Sequence, residues 1–216
     1  MHTVRGPRSL STTLAFLVLA TAGAAPAVSC STPDERNPEP GLSEPALRVR
    51  DCEGPATSLP AELAATLEPR PAPTTQDDHW ANIAREVPGG FAGVLYDDGQ
   101  PVLMLTRPEE AQEAKAALAS RFSPGFFDVA PAEVRLARWD FAQLADWYAY
   151  LGKQGLWRPG NGVHFGDKDE AENRIVYGVL DAASRARVAN ELEALGVPCD
   201  LVLVEIRAPI RGLSAE

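Results

Sequence analysis

Only three histidines and three cysteines occur in the 216 residues, and their scatter removes whole classes of chemistry. There is no CxxC and no Cys/His cluster with ligand spacing, so neither a zinc site nor a thiol-redox couple is expected. His79 falls in the first turn of a predicted helix, and His164 alternates with Val163 and Phe165 on a predicted strand; no second ligand stands two or four positions away. A GxSxG elbow, a phosphate-binding loop and a GxGxxG after a strand are also missing. Gly89-Gly90 reads as a helix stop before a hairpin. No catalytic, cofactor-binding or metal-binding residue is therefore predicted. Positive charge is scarce as well, 20 Lys and Arg against 30 Asp and Glu for a formal net charge of −10. That balance argues against nucleic acid or an anionic lipid surface as the main partner.

No apolar run is long enough to span a bilayer, but a short one stands near the start. Arg5 and Arg8, with no acid among residues 1–10, precede an apolar core of Leu14, Phe16, Leu17, Val18 and Leu19. This is the layout of a secretory signal peptide over residues 1–29. Small residues, Ala27, Val28 and Ser29, stand just before Cys30, so the segment resembles a bacterial lipobox, with Ala27 where Leu is usual. The resemblance implies cleavage before Cys30 and a diacylglycerol on its thiol, hence a membrane anchor. Cleavage after Ala27 or Ser29 without lipid, and an uncleaved anchor, are the alternatives. Ser31 resembles the outer-membrane sorting signal of lipoproteins. The expected address is the bacterial cell envelope as an outer-membrane lipoprotein, otherwise the periplasm or the medium. With Cys30 lipidated, Cys52 and Cys199 are left to form a disulfide or to stay unpaired. A bridge between them would close a loop worth about 4–5 kcal/mol in the chain-entropy model.

Residues 30–76 are rich in Pro, Glu, Ser, Thr and Ala, as in STPDERNPEPGLSEP and LEPRPAPTTQDD. Such a stretch buries too little apolar surface to offset its ordering entropy and reads as an extended tether. ALRVRDCEG, as an added edge strand held by Cys52, and SLPAELAATL are its two exceptions.

Residues 77–216 are strongly periodic. With Asp78 as the expected cap, Trp80, Ile83, Ala84 and Val87 share a helical face, and FAGVLY and PVLMLT form strands around Asp97-Asp98-Gly99-Gln100, whose Asp-Gly signals a primed hairpin turn. Thr106 with Glu109 reads as a capping box before the stripe Ala111, Ala114, Leu118 and Phe122, and EVRLARW follows as a strand with Val134 and Leu136 on one side. The order then runs again. Asp140 with Gln143 caps a helix carrying Phe141, Leu144, Ala145, Tyr148 and Leu151; GVHF and RIVYGVL are strands, Asp181 caps a helix with Val188, Leu192 and Leu195 inward, and LVLVEI closes. Gly93-Val94-Leu95-Tyr96 echoes Gly162-Val163-His164-Phe165. The predicted fold is α+β, two αββαβ repeats at about 77–138 and 139–207. From EVRLARW onward the order is βαββαβ, a ferredoxin-like antiparallel sheet with helices on one face.

GDKDEAEN at residues 166–173 gathers acids, but it lacks the sixth-position glycine and the final glutamate of an EF-hand loop and reads as a solvated turn. Trp147 lies off the stripe of Phe141 and Leu144, and Trp157 sits in the loop KQGLWRPGNG. Both are candidates for a partner surface, with packing between the repeats as the alternative. A hydrolase built from the dispersed acids Asp97, Asp98, Asp167 and Asp169, and a purely structural lipoprotein, are the other function classes.

VRLARWDFAQLADW, then Glu172-Asn173-Arg174-Ile175-Val176, then Asp181 with Ala182, Arg185 and Val188, then LVLVEI, resemble the C-terminal part of the pro-regions of secreted bacterial chymotrypsin-like proteases of the alpha-lytic type. The resemblance covers residues 133–207. It implies a small α/β domain that chaperones and inhibits a secreted serine protease and is itself not an enzyme. With no protease after Glu216, the action is expected in trans. The tail APIRGLSAE, with Ile210 and Leu213, corresponds to the segment that occupies the protease cleft in that family, and a frayed terminus is the alternative reading.

Overall fold

Thr75 and Asp140 begin two helices in the same way. Each side chain accepts from the amide three residues on, Asp78 or Gln143, whose own side chain accepts from the cap's amide. Both are capping boxes. Asp78 is thus the third residue of its helix and not the cap. In the computed structural model the described residues are 47–48, 56–68, 72–123, 125–158 and 160–208, and all of them fall in one compact unit. The elements are β1 (Leu47–Arg48), α1 (Ala61–Ala64), α2 (Gln76–Glu86), β2 (Phe91–Asp97), β3 (Gln100–Leu105), a 3-10 turn (Pro108–Glu110), α3 (Ala111–Ala119), β4 (Glu133–Leu136), α4 (Phe141–Lys153), β5 (Val163–Asp169), β6 (Arg174–Val179), α5 (Ala182–Ala194) and β7 (Val202–Ile206).

The class is α+β and the repeat is real. β2 and β3 pair antiparallel, and after α3 the strand β4 adds parallel to β3; β5, β6 and β7 are joined in the same way through α5. Each hairpin carries a bulge at its start, between Phe91 and Gly93 in one and between Val163 and Phe165 in the other. By that register Gly93 corresponds to Phe165, so the echo of Gly93 with Gly162 is out of step with the structural repeat. Asp98 and Gly99, at φ 47° and 76°, make the primed turn that Asp-Gly signals.

The second sheet has the order β1-β7-β6-β5, with neighbours antiparallel, parallel and antiparallel in turn. The parallel β6–β7 pair, joined through α5, makes this a mixed sheet and not the antiparallel one that the sequence order predicts, while the α+β class and the helices on one face hold. The sheet's fourth strand is β1, the edge strand expected in ALRVRDCEG, and not β4. β4 is held by its own repeat: Val102 faces Glu133, Leu105 faces Leu136, and Ala137 N–H extends the ladder to Leu105 O at 2.8 Å.

Helices cover one face of each sheet. Trp80, Ile83, Ala114 and Leu118 lie over Phe91, Leu103 and Leu105; Leu144, Leu151, Val188 and Leu192 lie over Ile175, Tyr177, Val202 and Val204. α4 serves both cores, since Phe141 belongs to the first and Leu144 to the second. A buried Asn173, at φ 52°, ties the repeats together. Its Oδ1 accepts from Arg138 N and Trp139 N at 2.7 and 2.8 Å, and its Nδ2 donates to Trp139 O at 2.8 Å.

Two expectations change. Packed structure begins well before residue 77: Leu59 is buried in the second core, with Ala56, Leu63 and Leu67 against it. Thr106 with Glu109 forms no capping box before α3, because a 3-10 turn over Pro108–Glu110 intervenes: the turn is capped at Arg107 and α3 at Glu110, neither by a side chain.

Candidate functional site

Gly166 interrupts β5, the outer strand of the second sheet, and its missing side chain is what lets an aromatic group assemble there. A Cβ at this position would lie 2.2 Å from Trp157 Cη2 and 2.9 Å from Tyr177 Cε1. Trp157 comes back from the loop after α4 to lie across the strand. Its ring meets Tyr177 edge-on at 5.5 Å and Tyr148 at 6.1 Å, while Tyr148 stacks on Tyr177 at 6.3 Å. Tyr148 donates its hydroxyl to Gly166 O at 3.2 Å. Trp157 remains 38% exposed, so one side of this assembly is wet. Tyr177 is fully buried, its hydroxyl has no hydrogen-bond partner, and burial pushes its ionisation well up.

Charge is arranged beside these rings. Lys168 Nζ sits 4.2 Å from the centroid of Tyr148 and 2.7 Å from Asp77 Oδ2, with only 11% of its side chain exposed. A cation so placed gains from the ring quadrupole as well as from the carboxylate. Thr75, Asp77, Asp78, Ala145, Tyr148 and Lys168 line a cleft of about 350 Å3 between α2, α4 and β5. Glu170, at the end of the same hairpin, lies against the first repeat: a Cβ on Gly93 would come within 2.8 Å of its Cγ. Burial raises the Glu170 carboxyl to about 7, and Asp77, Asp167 and Asp169 add to the effect.

Of the two partner candidates among the described residues, Trp157 lies at the surface. Trp147 is a correction. It is 2% exposed, part of the second core, and its Nε1–H donates to Thr57 O at 3.0 Å. The stretch that composition assigns to a tether is what covers it. Cys199 is disulfide-bonded. Cys30, Cys52, Ile210 and Leu213 lie outside the described residues.

The four acids of the hydrolase alternative are divided between the two hairpins. Asp97 is held by Arg135 Nη1 at 2.7 Å on the first sheet, whereas Asp167 and Asp169 flank Lys168 on the second. His79 is exposed; both ring nitrogens of His164 are enclosed without a hydrogen-bond partner. Among the described residues no cluster of His, Cys, Asp and Glu could hold a metal ion. The sequence assigns Tyr148 only a place on the apolar stripe of α4, and it reads Gly166, Lys168 and Glu170 as parts of a solvated turn, whereas Gly166 and Lys168 belong to β5. The available signal was the glycine inside a strand, which marks close approach of another group. Compared with known proteins, the chain matches no family model, and no curated protein is significantly similar to it.

Proposed function

We propose that the chain is an exported, lipid-anchored and non-catalytic protein-binding module of the bacterial cell envelope, with Cys30 as the lipid site and Trp157 at the centre of the binding surface. The observation that carries this is the state of Trp157, half exposed yet held from beneath by Tyr148, Tyr177 and the open space at Gly166. A large aromatic fixed in place buries area on a partner at little entropic cost, the usual chemistry of a binding hot spot. The resemblance of residues 133–207 to protease pro-regions gives the partner class, a secreted chymotrypsin-like serine protease that the module inhibits or helps to fold in trans. Ile210 and Leu213 are then the side chains offered to the protease cleft.

The test is saturable binding of the full processed chain to chymotrypsin-like proteases from the envelope and secreted fractions, with protease activity followed in parallel. Binding accompanied by loss of activity supports the reading, and Trp157→Ala is expected to weaken it about tenfold or more, roughly 1.4 kcal/mol. A folded chain that binds no such protease refutes the partner class. Undiminished binding by a folded Trp157→Ala variant moves the surface elsewhere.

A further inference from the structure

β4 is the open edge of the first sheet, whose order is β2-β3-β4. Along a strand the N–H and C=O of alternate residues turn to alternate sides. Ala137 N–H turns inward to Leu105 O, so Arg135 and Glu133 also face β3, and Val134 and Leu136 present their backbone groups outward. No other strand among the described residues pairs with this edge. Leu136 is 71% exposed, although the sequence pattern set it beside the half-buried Val134.

An exposed edge is usually blunted by like charges or brevity. β4 is short, but its two charges are of opposite sign. Arg135 Nε lies 2.8 Å from Glu133 Oε1 and its Nη1 2.7 Å from Asp97 Oδ2, and both Glu133 and Arg135 keep part of their side chains in solvent. Two-fold antiparallel pairing of β4 with a second β4 must place outward-facing residues opposite one another. With Val134 facing Val134, Glu133 of each copy stands across from Arg135 of the other. A shift by two residues instead sets Arg135 against Arg135, which repels. Of the two-fold registers, the one with Val134 on the axis is the one that sets opposite charges across from each other, so the edge is electrostatically self-complementary there.

We propose that two copies of this chain pair through β4 in that register, joining their three-stranded sheets into one continuous sheet about a two-fold axis. The contact is isologous, so each substitution acts twice. It is independent of the protease reading above and uses the opposite repeat from Trp157. A strand of four residues forms few ladder bonds, so the dimer is weak, concentration-dependent and sensitive to salt.

The experiment is sedimentation equilibrium of the processed full chain in density-matched detergent, with circular dichroism to verify folding. The wild-type chain is expected to pass from monomer to dimer with concentration, more weakly at high salt. Glu133→Arg and Arg135→Glu each place like charges across the axis and are expected to weaken dimerisation at least tenfold. Mixing the two variants sets basic pairs against acidic pairs and should restore a heterodimer. Val134→Pro removes an outward N–H without touching the ladder to β3 and should also leave monomer. A wild-type chain that stays monomeric, or a dimer that survives both charge variants, overturns the proposal.

Discussion

Glu170 shows how one side chain acquires properties that its neighbours in sequence do not give it. Its ordinary value of 4.5 rises to about 7 because the carboxyl is buried against the Gly93 backbone, with Asp77, Asp167 and Asp169 nearby. Below pH 4.5 the folded and unfolded states both carry the proton, and above pH 7 neither does. Between those values the folded state holds the extra proton, so stability falls as pH rises from about 4.5 through 7. Glu170→Gln should abolish that decline. After allowance for the water that reaches the group, the variant is expected to be more stable than wild type at pH 8 by about 1–2 kcal/mol, with little difference at pH 4, read by urea unfolding. An equal difference at both pH values would show that the carboxyl is not held neutral. Composition records only an acidic turn here, because the desolvation comes from a strand in the other repeat.

At the scale of elements, α4 and the segment before α2 are the instructive pair. Asp140, Gln143 and the stripe of Phe141, Leu144 and Leu151 are all legible, since caps and apolar spacing are local signals. What covers the remaining face of α4 is not. Residues 56–67 look like tether by their proline and alanine content, yet Leu59 is buried in the second core, Thr57 O receives Trp147 Nε1–H, and Ser58 Oγ receives Gln143 Nε2–H at 2.9 Å. Leu59→Ala is therefore expected to destabilise the domain by about 2–3 kcal/mol in urea or thermal unfolding, the cost of a cavity beneath a packed leucine. A tether residue would show no change. The capping box expected of Thr106 with Glu109 fails because a 3-10 turn over Pro108–Glu110 comes between Thr106 and α3.

At the scale of the whole molecule, two like units share α4 and are pinned at Asn173, while β1 completes the second sheet from outside the repeat. Cys199 is disulfide-bonded, and under the proposed function, with Cys30 carrying lipid, Cys52 is its expected partner. Peptide mapping under non-reducing conditions should recover a Cys52–Cys199 link, and its reduction should cost roughly 4 kcal/mol of stability for so long a loop. Recovery of Cys30 joined to Cys199 would remove the lipid anchor from the proposed function.

Sequence alone determined the signals that act within a few residues: the caps at Asp140 and Asp181, the Asp-Gly turn and the order of helices and strands in each repeat. These depend on local backbone preference and on apolar spacing, which travel with the chain. Tertiary structure alone decided which sheet takes β4, what buries Trp147, why Trp157 stays at the surface over Gly166, and why Glu170 titrates near neutrality. Each of these rests on groups distant in sequence, whose burial and approach exist only once the chain is folded.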